Sequence, residues 1–252
     1  MKDITFIIPV FQLDKEENKK LFSDAVKSLG KDATILVVGS KEDLALVTNK
    51  KVKKVENATE DLSYPKQVML ALENVDTEYF SVVEQDDKVN EEWYKYLDEY
   101  IKRDVDGIFA YLPLTEVVDY KSQEVIGYAN EAFWASSFSE EIGFLDMAAM
   151  EDYLNFNTSG GVFKTKEFLS LGGLKTSMKL TFWYEFILRA LYKEKKMFVV
   201  PRIGYFHSIN REGNLTDVYS TTMSEKEVEW WLELAKKEFY FPQDRNKKYE
   251  EE

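Results

Sequence analysis

Three acidic side chains lie within four residues, in the segment Glu84-Gln85-Asp86-Asp87. Clustered carboxylate oxygens are the ligands that Mg²⁺ and Mn²⁺ prefer, and such an ion can carry the phosphates of a substrate. An acidic turn at the start of a helix is the alternative, because acidic residues are also favoured in turns and in first helical turns. The segment therefore predicts either a metal-phosphate site or a solvated turn.

The residues before this segment predict where its carboxylates lie. Residues 79–83 form a short run of apolar, aromatic and β-branched side chains, which is typical of a buried strand. In open α/β sheets, ligands bind in the crevice at the carboxyl ends of the strands. We therefore expect the acidic cluster to face a ligand-binding crevice.

Strand-like and helix-like patterns alternate before this point. Apolar runs predict strands at 4–11, 34–38 and 52–56, and helical spacing of apolar residues predicts helices at 18–29 and from Pro65 onward. This order predicts parallel strands joined by crossover helices. The fold class that we predict is α/β, with a Rossmann-like, mixed but mostly parallel central sheet flanked by helices.

The pattern after the acidic segment is less regular. It predicts a helix at 89–103 and a strand at 107–112. Residues 113–157 then lose clear alternation, which is typical of a functional insertion or lid.

The residue pattern in the last part of the chain predicts a helix. Ser224 and Glu227 have the spacing of a capping box, and an amphipathic run follows them. We predict one domain over residues 1–222, with this helix and a charged tail, residues 223–252, packed on it.

Composition narrows the classes of protein. The chain has 252 residues, a formal net charge of −13 and no cysteine. The acidic balance argues against nucleic acid as a partner, because gripping its phosphates requires clustered Lys and Arg. The lack of cysteine excludes thiolate chemistry and is compatible with a reducing cytosol. There is no basic-then-apolar leader, and apolar runs fall short of the ~20 residues of a spanning helix. We therefore expect a cytoplasmic protein without a transmembrane segment.

Several stretches, in order, resemble the family-2 inverting glycosyltransferases and their relatives of GT-A fold. Residues 84–87 resemble the Asp-x-Asp-Asp motif of that family, with Glu84 in the place of the first Asp. The other stretches are the first strand with its proline at 6–11, the approach to the metal site at 63–67 and 78–80, and the acceptor-side segments 159–163, 171–174 and 186–189. The resemblance covers most of residues 4–210 and implies a GT-A-like fold with an acceptor-side insertion.

The resemblance implies a chemistry. A sugar would move from a nucleotide-diphosphate sugar to a hydroxyl acceptor, with help from Mn²⁺ or Mg²⁺. The acceptor would be a glycan first of all, and a lipid-linked or other hydroxyl compound as an alternative. The implied metal ligands are Glu84, Asp86, Asp87 and His207, the only histidine. A hydrogen-bonded structural histidine is the alternative interpretation of His207.

The resemblance also places the nucleotide. The candidates are Pro9, Val10 and Phe11 beside the pocket, Gln85 and Asp86 in the motif, Gly39 after the second strand, Asp61, and Lys66, with Arg211 as a second possible partner of the diphosphate. The family places acids before Gly39-Ser40, where this chain has Val37-Val38. Asp43, Asp61 or backbone groups could recognise the base instead, and its identity stays open.

A second departure concerns the general base, which an inverting transferase needs in order to take the proton of the acceptor. The Glu-Asp pair of the family falls at Phe182-Trp183 in this chain. Glu185 is our first candidate for the base, and Glu151 or Asp152 are alternatives. A retaining mechanism or an enzyme of low activity would also fit.

The aromatic residues of the insertion suggest an acceptor platform, since sugar faces stack on rings. Its members would be Tyr128, Phe133, Trp134, Phe138, Phe182 and Trp183, although ordinary core packing is the alternative for each.

Three other functions stay open. A nucleotidyltransferase would use similar carboxylates, but residues 12–14 lack a glycine-rich basic phosphate loop. A non-catalytic sugar-nucleotide or glycan binding module would explain the missing Glu-Asp pair. A glycosyltransferase that acts on modified bases of nucleic acid would need a local basic patch such as residues 50–54.

Overall fold

The computed structural model describes residues 3–103, 107–214, 218 and 221–251, and Asp152 by its backbone alone. Its strands are β1 (Ile4–Pro9), β2 (Thr34–Gly39), β3 (Lys53–Glu56), β4 (Tyr79–Val82), β5 (Lys88–Val89), β6 (Ala110–Asp119), β7 (Val125–Ala129), β8 (Val162–Lys164) and β9 (Met197–Ile209). Its helices are α1 (Glu16–Ser28), α2 (Lys41–Leu46), α3 (Tyr64–Leu72), α4 (Trp93–Lys102), α5 (Met147–Asp152), α6 (Thr165–Ser170), α7 (Phe182–Tyr192) and α8 (Glu225–Glu238).

The strands form one mixed sheet, as the sequence predicts. Its order is β3-β2-β1-β4-β8-β6-β9-β5, and β7 pairs with β6. Strands β1 to β4 run parallel, β8 runs antiparallel to β4 and β6, and β6 and β9 are parallel to each other. The carboxyl ends of β1, β4 and β9 therefore lie at the same edge as the start of β8.

Helices cover both faces of the sheet because side chains alternate along each buried strand. Ile7 of β1 packs with the core that includes Val68 of α3, Phe186 of α7 and Trp231 of α8. Its neighbours Phe6 and Ile8 belong to a second core with α1, α2 and α4. This layering confirms the predicted α/β class.

Helix α8 lies against the first of these cores. Ser224 accepts a hydrogen bond from the backbone N–H of Glu227 and so caps the helix as predicted. The Glu227 carboxylate accepts a hydrogen bond from the Trp231 ring N–H at 3.4 Å. Trp231 is completely buried and anchors the helix on the sheet. The division at residue 222 stays a prediction. In the part of the chain that the structure describes, no helix is long and apolar enough to cross a membrane.

Residues 113–157 are more regular than predicted. Strand β6 continues to Asp119 and returns as β7, forming a hairpin on the sheet. Strand β9 is one long strand that contains Pro201, and its register with β6 shifts at residues 113–115. The shift lets the strand pass the proline without losing its partner.

Candidate functional site

A first cavity, of about 230 Å³, opens at the edge where β1, β4 and β9 end. It is lined by Pro9, Phe11 and Gln12 after β1, Leu62, Ser63, Tyr64 and Gln67 around the start of α3, Glu84, Gln85 and Asp86 after β4, and His207, Ser208, Gly213, Asn214 and Val218 in and after β9. The predicted acidic segment therefore faces a crevice at the carboxyl ends of strands, where α/β sheets bind ligands.

A second cavity, of about 540 Å³, adjoins the first. Its walls come from residues 154 and 156–159, from residues 180–184 at the start of α7, and from Val228 and Leu232 of α8. Glu84 and His207 line both cavities. These two side chains therefore stand where a ligand in one cavity would meet a ligand in the other.

Glu84 is held at this junction by two contacts. Its carboxylate accepts a hydrogen bond of 2.9 Å from the Ser159 hydroxyl, and its backbone N–H donates to the Tyr205 hydroxyl at 3.0 Å. Burial raises the pKa of Glu84 to about 7, and the negative charge of Asp87 adds to this shift. The carboxylate can therefore gain or lose a proton near neutral pH.

Asp87 and His207 form a hydrogen-bonded ion pair. The ring nitrogen Nδ1 of His207 lies 2.8 Å from Oδ2 of Asp87, and Oδ1 of Asp87 accepts the backbone N–H of Ser208 at 2.8 Å. Burial alone would lower the pKa of His207, but the carboxylate of Asp87 raises it to about 9. His207 is therefore a cation at neutral pH.

Asp86 is paired with Arg211. The guanidinium donates through Nη2 at 2.7 Å and Nε at 3.1 Å to Oδ2 of Asp86, and through Nη1 to the amide oxygen of Asn18 at 2.9 Å. Both side chains are nearly buried. Burial and the charge of Asp87 raise the pKa of Asp86, and the adjacent guanidinium opposes this shift. Arg211 thus balances the charge of Asp86 behind the cavity wall.

These contacts do not produce a ready metal site. Within the described residues, no group of three or more His, Asp or Glu side chains could hold a metal ion. Glu84, Asp86 and Asp87 each have a different hydrogen-bond donor, and His207 binds Asp87. The predicted ligand set therefore does not fit a divalent ion in this arrangement, and help from Mn²⁺ or Mg²⁺ stays a prediction.

The predicted nucleotide residues divide into two groups. Pro9, Phe11, Gln85 and Asp86 line the first cavity. The Gln85 amide also accepts the Phe11 N–H at 3.0 Å and donates to the Phe11 carbonyl at 3.2 Å. Gln85 therefore fixes the backbone that follows β1.

The other predicted nucleotide residues, Val10, Gly39, Asp61 and Lys66, do not line the first cavity among the described residues. Val10 is buried, and a Cβ on Gly39 would lie 2.7 Å from its side chain, so this glycine permits the close approach of β2. Asp61 accepts the backbone N–H of Ser63 at 2.9 Å. Val10, Gly39 and Asp61 therefore have structural contacts near the cavity, and nucleotide binding by these four residues stays a prediction.

Asp43, the other acid suggested for base recognition, also has a structural role. Its two oxygens accept the Leu13 N–H at 2.7 Å and the Ser40 hydroxyl at 2.9 Å. The side chain is nearly buried and holds the loop after β1.

Glu185, the predicted general base, lies in the interior of the protein, and its role in proton transfer stays a prediction. Glu185 lies in α7, is completely buried and does not line either cavity. Its carboxylate accepts two bonds of 3.0 Å from Arg189, and the Lys175 ammonium lies 3.0 Å away. Arg189 also donates to the carbonyls of Leu171 and Gly173. Because both oxygens are bonded and water is excluded, the residue suits an internal ion network rather than proton transfer.

The alternative bases lie elsewhere. The side chain of Asp152 lies outside the described part of the chain. Glu151 is exposed in α5, and its backbone carbonyl accepts a hydrogen bond from the Tyr184 hydroxyl at 3.1 Å. Glu151 does not line either cavity.

The predicted aromatic platform is only partly assembled. Phe182 and Trp183 line the second cavity. Phe133 is buried and packs against Phe138, and Trp134 packs against Phe198. Tyr128, on the edge strand β7, is exposed and does not line this cavity.

Sequence reasoning missed the polar groups at the start of α3. The Ser63 hydroxyl, the Tyr64 hydroxyl and Oε1 of Gln67 are buried and have no hydrogen-bond partner within the described part of the chain. All three residues line the first cavity, and unpaired buried polar groups are costly unless a ligand or water satisfies them. The proline after Tyr64 predicted a helix start but not what it would face.

The fold and the site geometry define a GT-A-like α/β protein. No protein-family model matches the chain, and no curated protein sequence matches it. Solved structures of S. aureus TarS share the fold. TarS 1-349 aligns with a TM-score of 0.59 at 16% identity, covering 82% of this chain and 60% of TarS 1-349.

Two ligand complexes of TarS 1-349 align similarly, each with a TM-score of 0.59. The complex with UDP is 15% identical and covers 95% of this chain and 72% of its own. The complex with UDP-GlcNAc is 13% identical, and the alignment covers 95% of this chain and 73% of the TarS chain. At this identity the likeness establishes the fold.

Proposed function

We propose that the protein is a glycosyltransferase that moves a sugar from a nucleotide-diphosphate sugar to a hydroxyl acceptor. The observation that carries this proposal is the junction of two cavities at Glu84 and His207. TarS, a glycosyltransferase of this fold, has solved complexes with UDP and UDP-GlcNAc, which supports a UDP-sugar as the first candidate donor. The donor would occupy the first cavity and the acceptor the second.

The residues at the junction suit a single displacement with inversion. The acceptor oxygen would bond to the anomeric carbon as the bond from that carbon to the diphosphate oxygen breaks. We assign the acceptor proton to Glu84, because this carboxylate faces both cavities. The cationic His207 would stabilise the negative charge that develops on the leaving diphosphate.

Divalent metal forms a separate part of the proposal. If a divalent ion were held near Asp86, it would supply positive charge that offsets the charge of the leaving diphosphate. Asp86 lines the first cavity together with Glu84 and Gln85, but Arg211 already compensates the charge of Asp86. Binding of a UDP-sugar should therefore not require the metal.

A thermal-shift titration tests the donor site. UDP, UDP-GlcNAc, GDP and CMP are compared, each with Mn²⁺ and with EDTA, on the wild type, on Glu84→Gln and on Glu91→Gln, which changes an exposed carboxylate. A ligand that binds only the folded state raises the melting temperature by mass action. We expect stabilisation by a uridine nucleotide, present in EDTA and retained in both variants.

A turnover assay then distinguishes the role of Glu84 from that of Glu91. Glu84→Gln should lose transfer and donor hydrolysis while it keeps nucleotide binding, and Glu91→Gln should keep both. No stabilisation by any nucleotide would refute the proposal. Nucleotide binding without turnover in the wild type would favour a binding module, and stabilisation that appears only with Mn²⁺ would reinstate the metal site.

A further inference from the structure

The second cavity has mainly apolar walls. Leu154 and Phe156 form one side, Phe182 and Trp183 a second, and Val228 with Leu232 of α8 a third. Leu154 is 50% exposed. Together these six side chains give the cavity an apolar lining, which is typical of small-molecule pockets.

The charges of this cavity lie only at its inner end. Among the described residues that line it, Glu84 and His207 are the charged ones, and there is no Lys or Arg. A polyanionic acceptor would need clustered cations, and the chain as a whole carries a net charge of −13. The walls therefore disfavour phosphate-rich acceptors.

Polar groups surround the inner end. Asn157 accepts the Ser159 backbone N–H at 2.6 Å, and the Ser159 hydroxyl bonds to Glu84. These contacts place polar groups beside Glu84, whereas the rest of the described lining of the cavity is mainly apolar. A molecule with one hydroxyl end and an apolar body matches this distribution.

Helix α7 begins with a strained residue that shapes the wall. Thr181 has φ of 61° and ψ of 14°, a left-handed conformation that β-branched residues rarely adopt. Its hydroxyl donates to the Trp231 carbonyl of α8 at 3.0 Å. Such strain persists where the surrounding structure imposes it, and it clusters at ligand sites. Here it fixes Phe182 and Trp183 opposite α8.

Some apolar side chains of α8 pack on the core, and others line the second cavity. Trp231 and Ala235 are completely buried and hold the helix on the core. Val228 and Leu232, one helical turn apart, face the cavity. The last helix is therefore both a packing element and a wall of the site.

From these observations we infer that the acceptor is an uncharged alcohol or phenol with an apolar body, held between α7 and α8 with its hydroxyl at Glu84. This inference rests on the proposed function for the transfer itself, whereas the ligand class follows from the cavity alone. A volume of about 540 Å³ suits a body of small-molecule size.

Equilibrium binding of matched glycosides, followed by ligand-observed NMR or calorimetry, tests the inference. Octyl β-glucoside, kept below its micelle concentration, and methyl β-glucoside carry the same sugar and differ only in the apolar body. We expect octyl β-glucoside to bind at least tenfold more tightly. Glucose 6-phosphate, the anionic probe, should bind no better than methyl β-glucoside.

Two variants locate the binding. Leu232→Asp places a charge in the cavity and should abolish the preference for the octyl compound. Lys226→Asp introduces the same residue on an exposed position of α8 and should leave the preference unchanged. If Leu232→Asp does not fold, Val228→Thr, which keeps the side-chain volume, should reduce the preference severalfold.

Equal binding of the two glucosides, tighter binding of the phosphate, or an octyl preference unchanged by Leu232→Asp would overturn the inference. UDP binding in the same samples is the separate readout of the donor site. A protein that binds octyl β-glucoside but no nucleotide would refute the proposed function and leave the ligand class of the second cavity standing.

Discussion

Replacing Glu185 by Gln distinguishes a structural role from a catalytic one. The carboxylate is completely buried, accepts two hydrogen bonds of 3.0 Å from Arg189 and lies 3.0 Å from the Lys175 ammonium. The substitution keeps the volume of the side chain and removes its charge. Two buried cations then lose the anion between them, and among the described residues Lys175 keeps Glu238, at 3.7 Å, as its acidic partner.

The expected cost follows from this arrangement. Removing one member of a buried ion pair typically costs ~3–5 kcal/mol, because the remaining charge is left uncompensated. The amide oxygen of Gln still accepts one bond, so we expect the lower end, roughly 3 kcal/mol. For a domain of this size, that loss lowers the melting temperature by about 6–12 °C.

The assay is urea unfolding followed by circular dichroism, combined with UDP binding and turnover at a temperature where both proteins are folded. Glu233→Gln, a change on the exposed side of α8, is the matched control. We expect Glu185→Gln to be less stable, with nucleotide affinity and turnover near the wild-type values. Loss of turnover at wild-type stability would refute the buried-network argument and restore Glu185 as the base.

Two further outcomes are expected. Gly160→Ala should lower the free energy of unfolding by roughly 2–5 kcal/mol, because φ is +73° and the new Cβ would lie 2.4 Å from the Tyr205 ring. Gly30→Ala, with φ of +83° and no atom of the described chain within 4 Å, should lower it by only ~1–2 kcal/mol. Equal losses in urea unfolding would contradict this close contact. The pKa of His207 is raised from 6.5 to about 9 beside Asp87, so the pair stabilises the fold fully below pH 6.5 and loses this contribution as pH rises through 9. The stability difference between wild type and His207→Gln should therefore shrink from pH 6.5 to pH 9, and a constant difference would show that the pair does not titrate as described.

The parts of the fold that the sequence predicted are those governed by local pattern. Strands β1, β2 and β4 are continuous apolar runs, and buried strands have this appearance because both faces are covered. The capping box of α8 depends on two residues three positions apart. Such signals lie within a few residues of each other, so one sequence is enough to find them.

The pairings that build the site are not local. Arg211 meets Asp86 across 125 positions of sequence, and His207 meets Asp87 across 120. Nothing in the sequence around Asp86 indicates that a guanidinium, rather than a metal, will balance its charge. The order of the strands in the sheet determines these partners, and that order emerges only from the whole fold.

The burial of Glu185 was not predicted, for a different reason. Helical spacing identifies the faces of α7 but does not say which face meets the core when nearly every residue is apolar. A signal was available, because Glu185 and Arg189 stand four positions apart, the spacing of an ion pair along a helix. Two opposite charges at this spacing within an otherwise apolar helix are consistent with the ion pair that the structure shows.

The position of α8 sets the order in which the protein becomes competent during synthesis. Among the described residues, those that line the first cavity come from the chain up to Val218, whereas the second cavity also takes Val228 and Leu232 from α8. If the protein transfers a sugar as proposed, a chain in which α8 has not docked would leave the acceptor side of the junction open to water. Water would then compete with the acceptor for the sugar, so docking of the last helix would favour transfer over hydrolysis.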